Sequence, residues 1–180
     1  MRPQQPDELK KLLEWASTAR SVLEVGSRNG HTLVDLAHAM TGKRIVAIDW
    51  PNHEGMSDNH EPELLANVKM LEEEGFDVHL IIGNSHHPDV LAKATALGPY
   101  DLVFIDGDHS YGGVKQDWEY YGPLGRQVVF HDIVKPMPGR NVGLKVYEFW
   151  EEMKHLAPEE FIAYKSPMGL GRIWNVRSAN

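Results

Sequence analysis

The sequence predicts an open α/β fold, and three observations carry that expectation. Short apolar runs at 22–25, 45–48, 78–82, 102–105 and 127–130 are rich in Val, Ile and Leu, as strands buried on both faces require. Segments with apolar residues at helical spacing alternate with these runs, the pattern of βα units. The runs end in glycine- or acid-bearing turns, and ligands of open α/β sheets bind at that edge.

The first segment, 7–20, places Leu9, Leu12, Leu13 and Ala16 on one helical face with Lys10, Lys11 and Glu14 opposite, as in a helix packed on a sheet. The run at 22–25 then stops abruptly in Gly26-Ser-Arg-Asn-Gly30. Gly26 and Gly30 allow backbone angles and a ligand approach that a Cβ would forbid. From Thr32 on, Leu33, Leu36, Ala37 and Met40 recur at helical spacing, so the turn opens a helix whose free N–H groups suit an anionic or nucleotide-like ligand. The spacing lacks the third glycine of the pyrophosphate fingerprint, which argues against a dinucleotide.

The second run ends in Asp49-Trp50, with Asp49 lying 19 residues beyond Gly30. An acid at that position of a nucleoside-binding α/β fold accepts hydrogen bonds from ribose hydroxyls; the competing reading is a turn or cap aspartate. Trp50 either stacks on the base or covers the sheet edge. Residues 51–62 hold two prolines and a glycine without periodicity, so a loop is expected, with His53 and His60 solvated. A helix over 63–74 follows, with Leu64, Leu65, Val68 and Leu71 inward and Gly75 as its stop. The strand beginning at Val78 runs into Asn84 and Ser85, which cap a helix starting at Pro88 or face a ligand. His86 and His87, adjacent in a loop, are assigned no metal.

The segment 100–111 is the most informative. A buried strand delivers Asp106-Gly107-Asp108-His109 at its carboxyl end, and carboxylates crowded this way repel unless a cation or a reacting proton compensates. A turn alone would leave that repulsion unrewarded. The next strand again finishes in ionisable groups, His131-Asp132. The loop at 135–143, rich in proline and glycine, is an expected acceptor-facing wall. Val146, Phe149, Trp150, Met153 and Leu156 form a core helix face, 161–164 a strand, and Gly169-Leu-Gly171 precedes a final strand over 172–176.

Composition narrows the function. A chain of 180 residues suits one domain over 1–180, 42% hydrophobic content is ordinary for a globular protein, and no run reaches the length that spans a bilayer. The absence of a signal-type apolar core and of cysteine makes a cytoplasmic location the expectation. A net charge of −8 disfavours nucleic acid as partner, leaving a small-molecule acceptor; monomer and homo-oligomer both stay open.

Glu24-x-Gly26-x-x-x-Gly30 resembles the first motif of class I S-adenosylmethionine (SAM) methyltransferases. Phe104-Ile-Asp-Gly-Asp-His-Ser-Tyr111 and Val129-Phe-His-Asp132 narrow the likeness to the small O-methyltransferases related to those of macrolide and aminocoumarin sugars, and to cephalosporin-hydroxylase-like proteins. The resemblance covers about 21–176. It implies a Rossmann-like three-layer sandwich with a seven-stranded, mostly parallel sheet, its last strand antiparallel. It also implies SAM bound by Glu24, Gly26, Gly30, Asp49, Trp50, Asn84, Ser85 and Asp106, and O-methylation of a small-molecule hydroxyl. In relatives with strand-end acids a divalent metal assists; here Mg²⁺ would be held by Asp106 and Asp132, with His131 as third ligand, although those relatives carry Asp-Asp or Glu-Asp where this chain has His131-Asp132. Either Asp108 or His109 would be the catalytic base. Two other readings are a non-catalytic SAM- or nucleoside-binding protein and an iron-dependent hydroxylase using His109, His131 and Asp132 or Asp106.

Overall fold

The computed structural model describes residues 5–51, 59–137, 143–156, 158–163 and 168–175. His53, most of the proposed acceptor wall, Tyr164 and Val176 lie outside them. The elements run α1 (Pro6–Ala16), β1 (Ser21–Val25), α2 (His31–Ala39), β2 (Arg44–Asp49), α3 (Glu61–Glu73), β3 (Asp77–Ile82) and α4 (Pro88–Leu97). They continue β4 (Tyr100–Ile105), α5 (Tyr111–Tyr121), β5 (Gly125–His131), α6 (Val146–Met153), β6 (Glu159–Phe161) and β7 (Leu170–Trp174). The strands form one sheet in the order β3-β2-β1-β4-β5-β7-β6. β1 to β5 are parallel, while β7 is antiparallel to both β5 and β6. This is the seven-stranded, Rossmann-like arrangement that the family resemblance implies.

Alternation along the central strands feeds two cores. Leu23, Val25, Val103 and Ile105 point to the side covered by α4, α5 and α6, where Phe130, Phe149 and Trp150 pack. Val22, Leu102 and Phe104 point to the other side, under α1, α2 and α3. Each large side chain taken from water there contributes about 1.5–3 kcal/mol, which is why the central strands carry almost no polar residues until they end.

The boundaries differ from expectation in instructive places. α1 turns its face by one position, burying Glu8, Leu12, Trp15 and Ala16 instead of Leu9 and Leu13. α3 begins two residues early because Pro62 suits a first helical turn. β7 starts at Leu170, inside the expected glycine lead-in: a Cβ on Gly171 would meet the Trp150 ring at 2.3 Å, so the glycine is what lets the indole pack against the strand. β6 is shifted to Glu159–Phe161, pinned by the Trp150 Nε1–H donating to Glu160 at 2.6 Å.

Candidate active site

The carboxyl edge of the sheet is where β1, β2, β4 and β5 release their chains, and register brings those ends together. Val25 pairs with Ile48 on one side and Ile105 on the other, and Ile105 pairs with Phe130. Gly26 follows directly, at φ +91°, with a built Cβ only 2.3 Å from the Asp106 carbonyl oxygen. No other residue type allows the β1 and β4 ends to approach this closely. Its N–H donates to Ile48 O at 2.9 Å, and Asp106 N–H donates to Val25 O at 2.8 Å, so the three chain ends are tied by backbone. Gly30, at φ +80°, caps α2 after a tight turn closed by its N–H donating to Ser27 O at 2.7 Å.

Beneath this turn Glu24 is buried, and burial first, with the charges of Asp106 and Asp49 adding to it, pushes its carboxyl up to about 8. Glu24 Oε2 and Ser27 Oγ are buried with no hydrogen-bond partner. Asp49 is closed in: Arg28 N–H donates to Oδ2, and His60 Nε2 lies 3.0 Å from Oδ1. His60 is therefore buried, not solvated, because the N-terminus of α3 carries it back onto the end of β2. Trp50 is half exposed at the same edge. Asn84 Oδ1 accepts from His86 N–H at 2.8 Å, and Ser85 O accepts from the Tyr121 hydroxyl at 2.5 Å, so both fix the β3–α4 turn. His86 Nε2 is 3.2 Å from the buried Asp117, and His87 caps α4.

The β4 and β5 ends are different. His109 Nδ1 is 2.6 Å from Asp132 Oδ2, and its Nε2 is 3.8 Å from Asp106 Oδ1. His131 Nδ1 lies 3.1 Å from Asp106 Oδ1 and 3.5 Å from Asp132 Oδ1. Successive strand residues normally point to opposite faces, but Asp132 leaves β5 at φ +62°, and that left-handed turn brings His131 and Asp132 to one cluster. Ligand atoms of Asp106, His109 and Asp132 fall within 4.8 Å of one another, a grouping able to hold a metal ion. Asp132 Oδ1 is buried without a hydrogen-bond partner.

Charge sets the protonation here. Burial opposes the charged form of His109, but its hydrogen bond to Asp132 and the Asp106 carboxylate outweigh that and raise its pKa. His131 behaves alike, held well above the ordinary imidazole value by Asp106, Glu8 and Asp132 against desolvation. Asp132 is lowered: burial works against it, but the two histidines win. Asp108, by contrast, is exposed, and its Oδ1 accepts from Ser110 N–H at 2.9 Å at the start of α5.

A cleft of about 560 Å³ joins the two regions, lined by the Gly26–Arg28 turn and Thr32 on one side and by Asp106, His109, His131 and Asp132 on the other. Of the residues the sequence singles out, Asp108, Glu24, Gly30, Asp49, Trp50, Asn84 and Ser85 are not among its walls. Sequence reasoning missed Glu8, fully buried behind His131. The signal was there: Glu8, Leu12 and Trp15 recur at helical spacing, which puts an acid in the apolar stripe of α1.

The chain's fold is that of solved methyltransferases. An O-methyltransferase from Bacillus cereus in complex with SAH superposes with a TM-score of 0.68 at 18% identity, covering 96% of this chain and 82% of that one. TomG, an O-methyltransferase from Streptomyces achromogenes involved in tomaymycin synthesis and in complex with SAM, gives 0.65 at 20% identity, covering 96% and 81%. At such identity the likeness speaks for the fold. No curated protein matches the chain. Residues 23–133 match the family described as a methyltransferase domain, a stretch that begins inside β1 and ends just past the acid cluster. With more than half of its length matched in this way, the chain belongs to the methyltransferase domain family.

Proposed function

We propose that this chain is a SAM-dependent O-methyltransferase acting on a hydroxyl of a small molecule, with a divalent cation held between Asp106 and Asp132. The observation that carries the reading is the His109–Asp132 pair beside Asp106, in the same cleft as the Gly26 turn. A cleft of about 560 Å³ suits a cofactor end and a small acceptor. Ser27, buried on the cleft wall, fits a polar cofactor group over the turn, and Asp132 Oδ1, buried without a hydrogen-bond partner, fits a cation. The Bacillus cereus and Streptomyces achromogenes proteins hold SAH and SAM on this same fold, which supports the choice of cofactor.

SAM, when bound, supplies an electrophilic methyl group on sulfur, so the protein's task is to align the acceptor and take its proton. A divalent cation, when bound, lowers the pKa of a hydroxyl as it does that of water. His109 is the base. Its Nδ1–H donates to Asp132 Oδ2, which leaves Nε2 as an acceptor on the cleft wall. Asp108, engaged with the N-terminus of α5 and outside the cleft, serves the turn. Because the pKa of His109 is raised, its basic form gains as pH rises, and methyl transfer should climb with pH through that raised value and then level.

Calorimetry with SAH, NAD and ATP tests the cofactor, and transfer of labelled methyl from SAM to a panel of hydroxyl compounds tests the reaction. SAH alone should bind. His109→Asn should keep SAH affinity and lose about 10²–10⁴-fold in rate. Failure of SAH to bind, or full activity in His109→Asn, would overturn the reading.

A further inference from the structure

Asp117, on the inner side of α5, is completely buried, and neither of its carboxylate oxygens has a hydrogen-bond partner. The group it meets is His86, whose Nε2 lies 3.2 Å from Asp117 Oδ1. A carboxylate buried in this way is costly unless an opposing charge faces it, and breaking such a pair costs far more than breaking an exposed one. The imidazole is placed to carry that charge. Asp117 first, then Asp108 from the turn before α5 and the Gly113 backbone, favour its charged form against desolvation and raise its pKa. Tyr121, one turn on from Asp117, donates to Ser85 O at 2.5 Å and feels the Asp117 charge as well.

The pair bridges two turns. On one side, His86 N–H donates to Asn84 Oδ1 at 2.8 Å, and the same β3–α4 turn is bonded to the end of β2 by Gly83 N–H donating to Asp49 O at 2.8 Å. On the other side, a Cβ on Gly107 would stand 3.2 Å from Asp117 Oδ2, and a Cβ on Gly26 would stand 2.6 Å from Gly107 Cα. Through these contacts the pair braces both Asp49 and the Gly26 turn. We propose that His86 and Asp117 are positioning residues for the cofactor site: their ion pair holds the β3–α4 and β4–α5 turns together, and loss of the proton from His86 releases the turns and weakens cofactor binding. The inference rests on the SAM-binding reading and adds how that site is held and which proton governs it. The direction follows from linkage. A histidine whose pKa is raised by folding contributes its stabilisation in full below the ordinary imidazole value and loses it as pH rises through the raised one. SAH binds better to the charged form, so bound SAH raises the ring's pKa further.

The test follows the His86 ring of the whole protein by NMR, with and without SAH, and SAH affinity by calorimetry, from about pH 6 to about pH 9. In the parent the ring should titrate above the ordinary imidazole value, SAH should move that titration upward, and affinity should fall about fivefold or more as pH passes through it. Asp117→Asn keeps the shape of the side chain and removes its charge, so the ring should titrate at or below its ordinary value and the fall in affinity should disappear. His86→Gln should remove the same step, while every other titrating group stays common to the two proteins. The parent measurements need no variant, so they stand even where a variant fails to fold. A parent ring that titrates at or below the ordinary value, a titration that SAH leaves in place, or a step that persists in His86→Gln would overturn the proposal. SAH binding that stays level across the titration defeats this inference alone, whereas no SAH binding at any pH defeats the methyltransferase reading with it.

Discussion

The two halves of the sheet's carboxyl edge are finished in opposite ways. At the β1–β2 end, Asp49 has both oxygens engaged, by Arg28 N–H and His60, and is 9% exposed. At the β4–β5 end, Asp106, His109, His131 and Asp132 face one another across a few ångströms, an oxygen of Asp132 has no hydrogen-bond partner, and its backbone sits at φ +62°. Satisfied groups hold a shape. Crowded charges with an unmet oxygen and a strained backbone are stable only because the surrounding sheet fixes them, and such places are where chemistry or ligands are expected. The proposed function uses this difference, with a binding frame at one end and reactivity at the other.

The strongest way to break the distinction is at the joint between them. Gly26→Ala puts a Cβ 2.3 Å from the Asp106 carbonyl oxygen, a backbone atom that cannot move without taking the acid cluster along, and does so at φ +91°. Stability should fall by about 3 kcal/mol or more in denaturant unfolding, and binding of SAH and of the proposed divalent cation, probed with Mn²⁺, should suffer. If Gly26→Ala loses only SAH, the two ends are mechanically independent. A narrower change is Asp49→Ala, which deprives Arg28 N–H and His60 of their acceptor and tests the proposed ribose contact. SAH should weaken by about tenfold or more, a loss of about 1.5–3 kcal/mol, while Mn²⁺ affinity stays at the parent value. Equal SAH affinity would reduce Asp49 to an architectural residue.

How much of this was legible in the sequence follows the same divide. Strands buried on both faces announce themselves as apolar runs, and Gly26, Asp49, Asp106 and the His131-Asp132 pair were readable because each directly follows such a run. Contacts made across long sequence separations were not. His60 looked like a solvated loop residue because nothing local says that α3 returns it to Asp49, and Glu8 was passed over because the buried face of α1 is offset from the expected one. Nor could the sequence show that Asp108 bonds to Ser110 N–H while His109 lines the cleft, the difference on which the proposed choice of base rests.

Glu24 lies under both ends and senses both, since the charges of Asp106 and Asp49 add to its burial in raising its carboxyl to about 8. The sign of its effect on stability follows from that. A carboxyl whose folded pKa exceeds its unfolded one binds its proton more tightly when folded, so its contribution is intact below the unfolded value and is lost as pH rises toward about 8. Between pH 6 and 7 the unfolded chain is ionised there and the folded one is still neutral, so the parent should lose about 1 kcal/mol relative to Glu24→Gln, which cannot titrate. All other titrating groups are common to the two proteins, so the difference isolates this carboxyl. The measurement is unfolding of both across pH 5 to 9, with the gap widening upward and flattening above about 8. In Asp49→Ala and Asp106→Asn backgrounds the flattening point should move down by a smaller amount for each charge removed, and a background that leaves it in place identifies the end of the cleft that Glu24 does not sense.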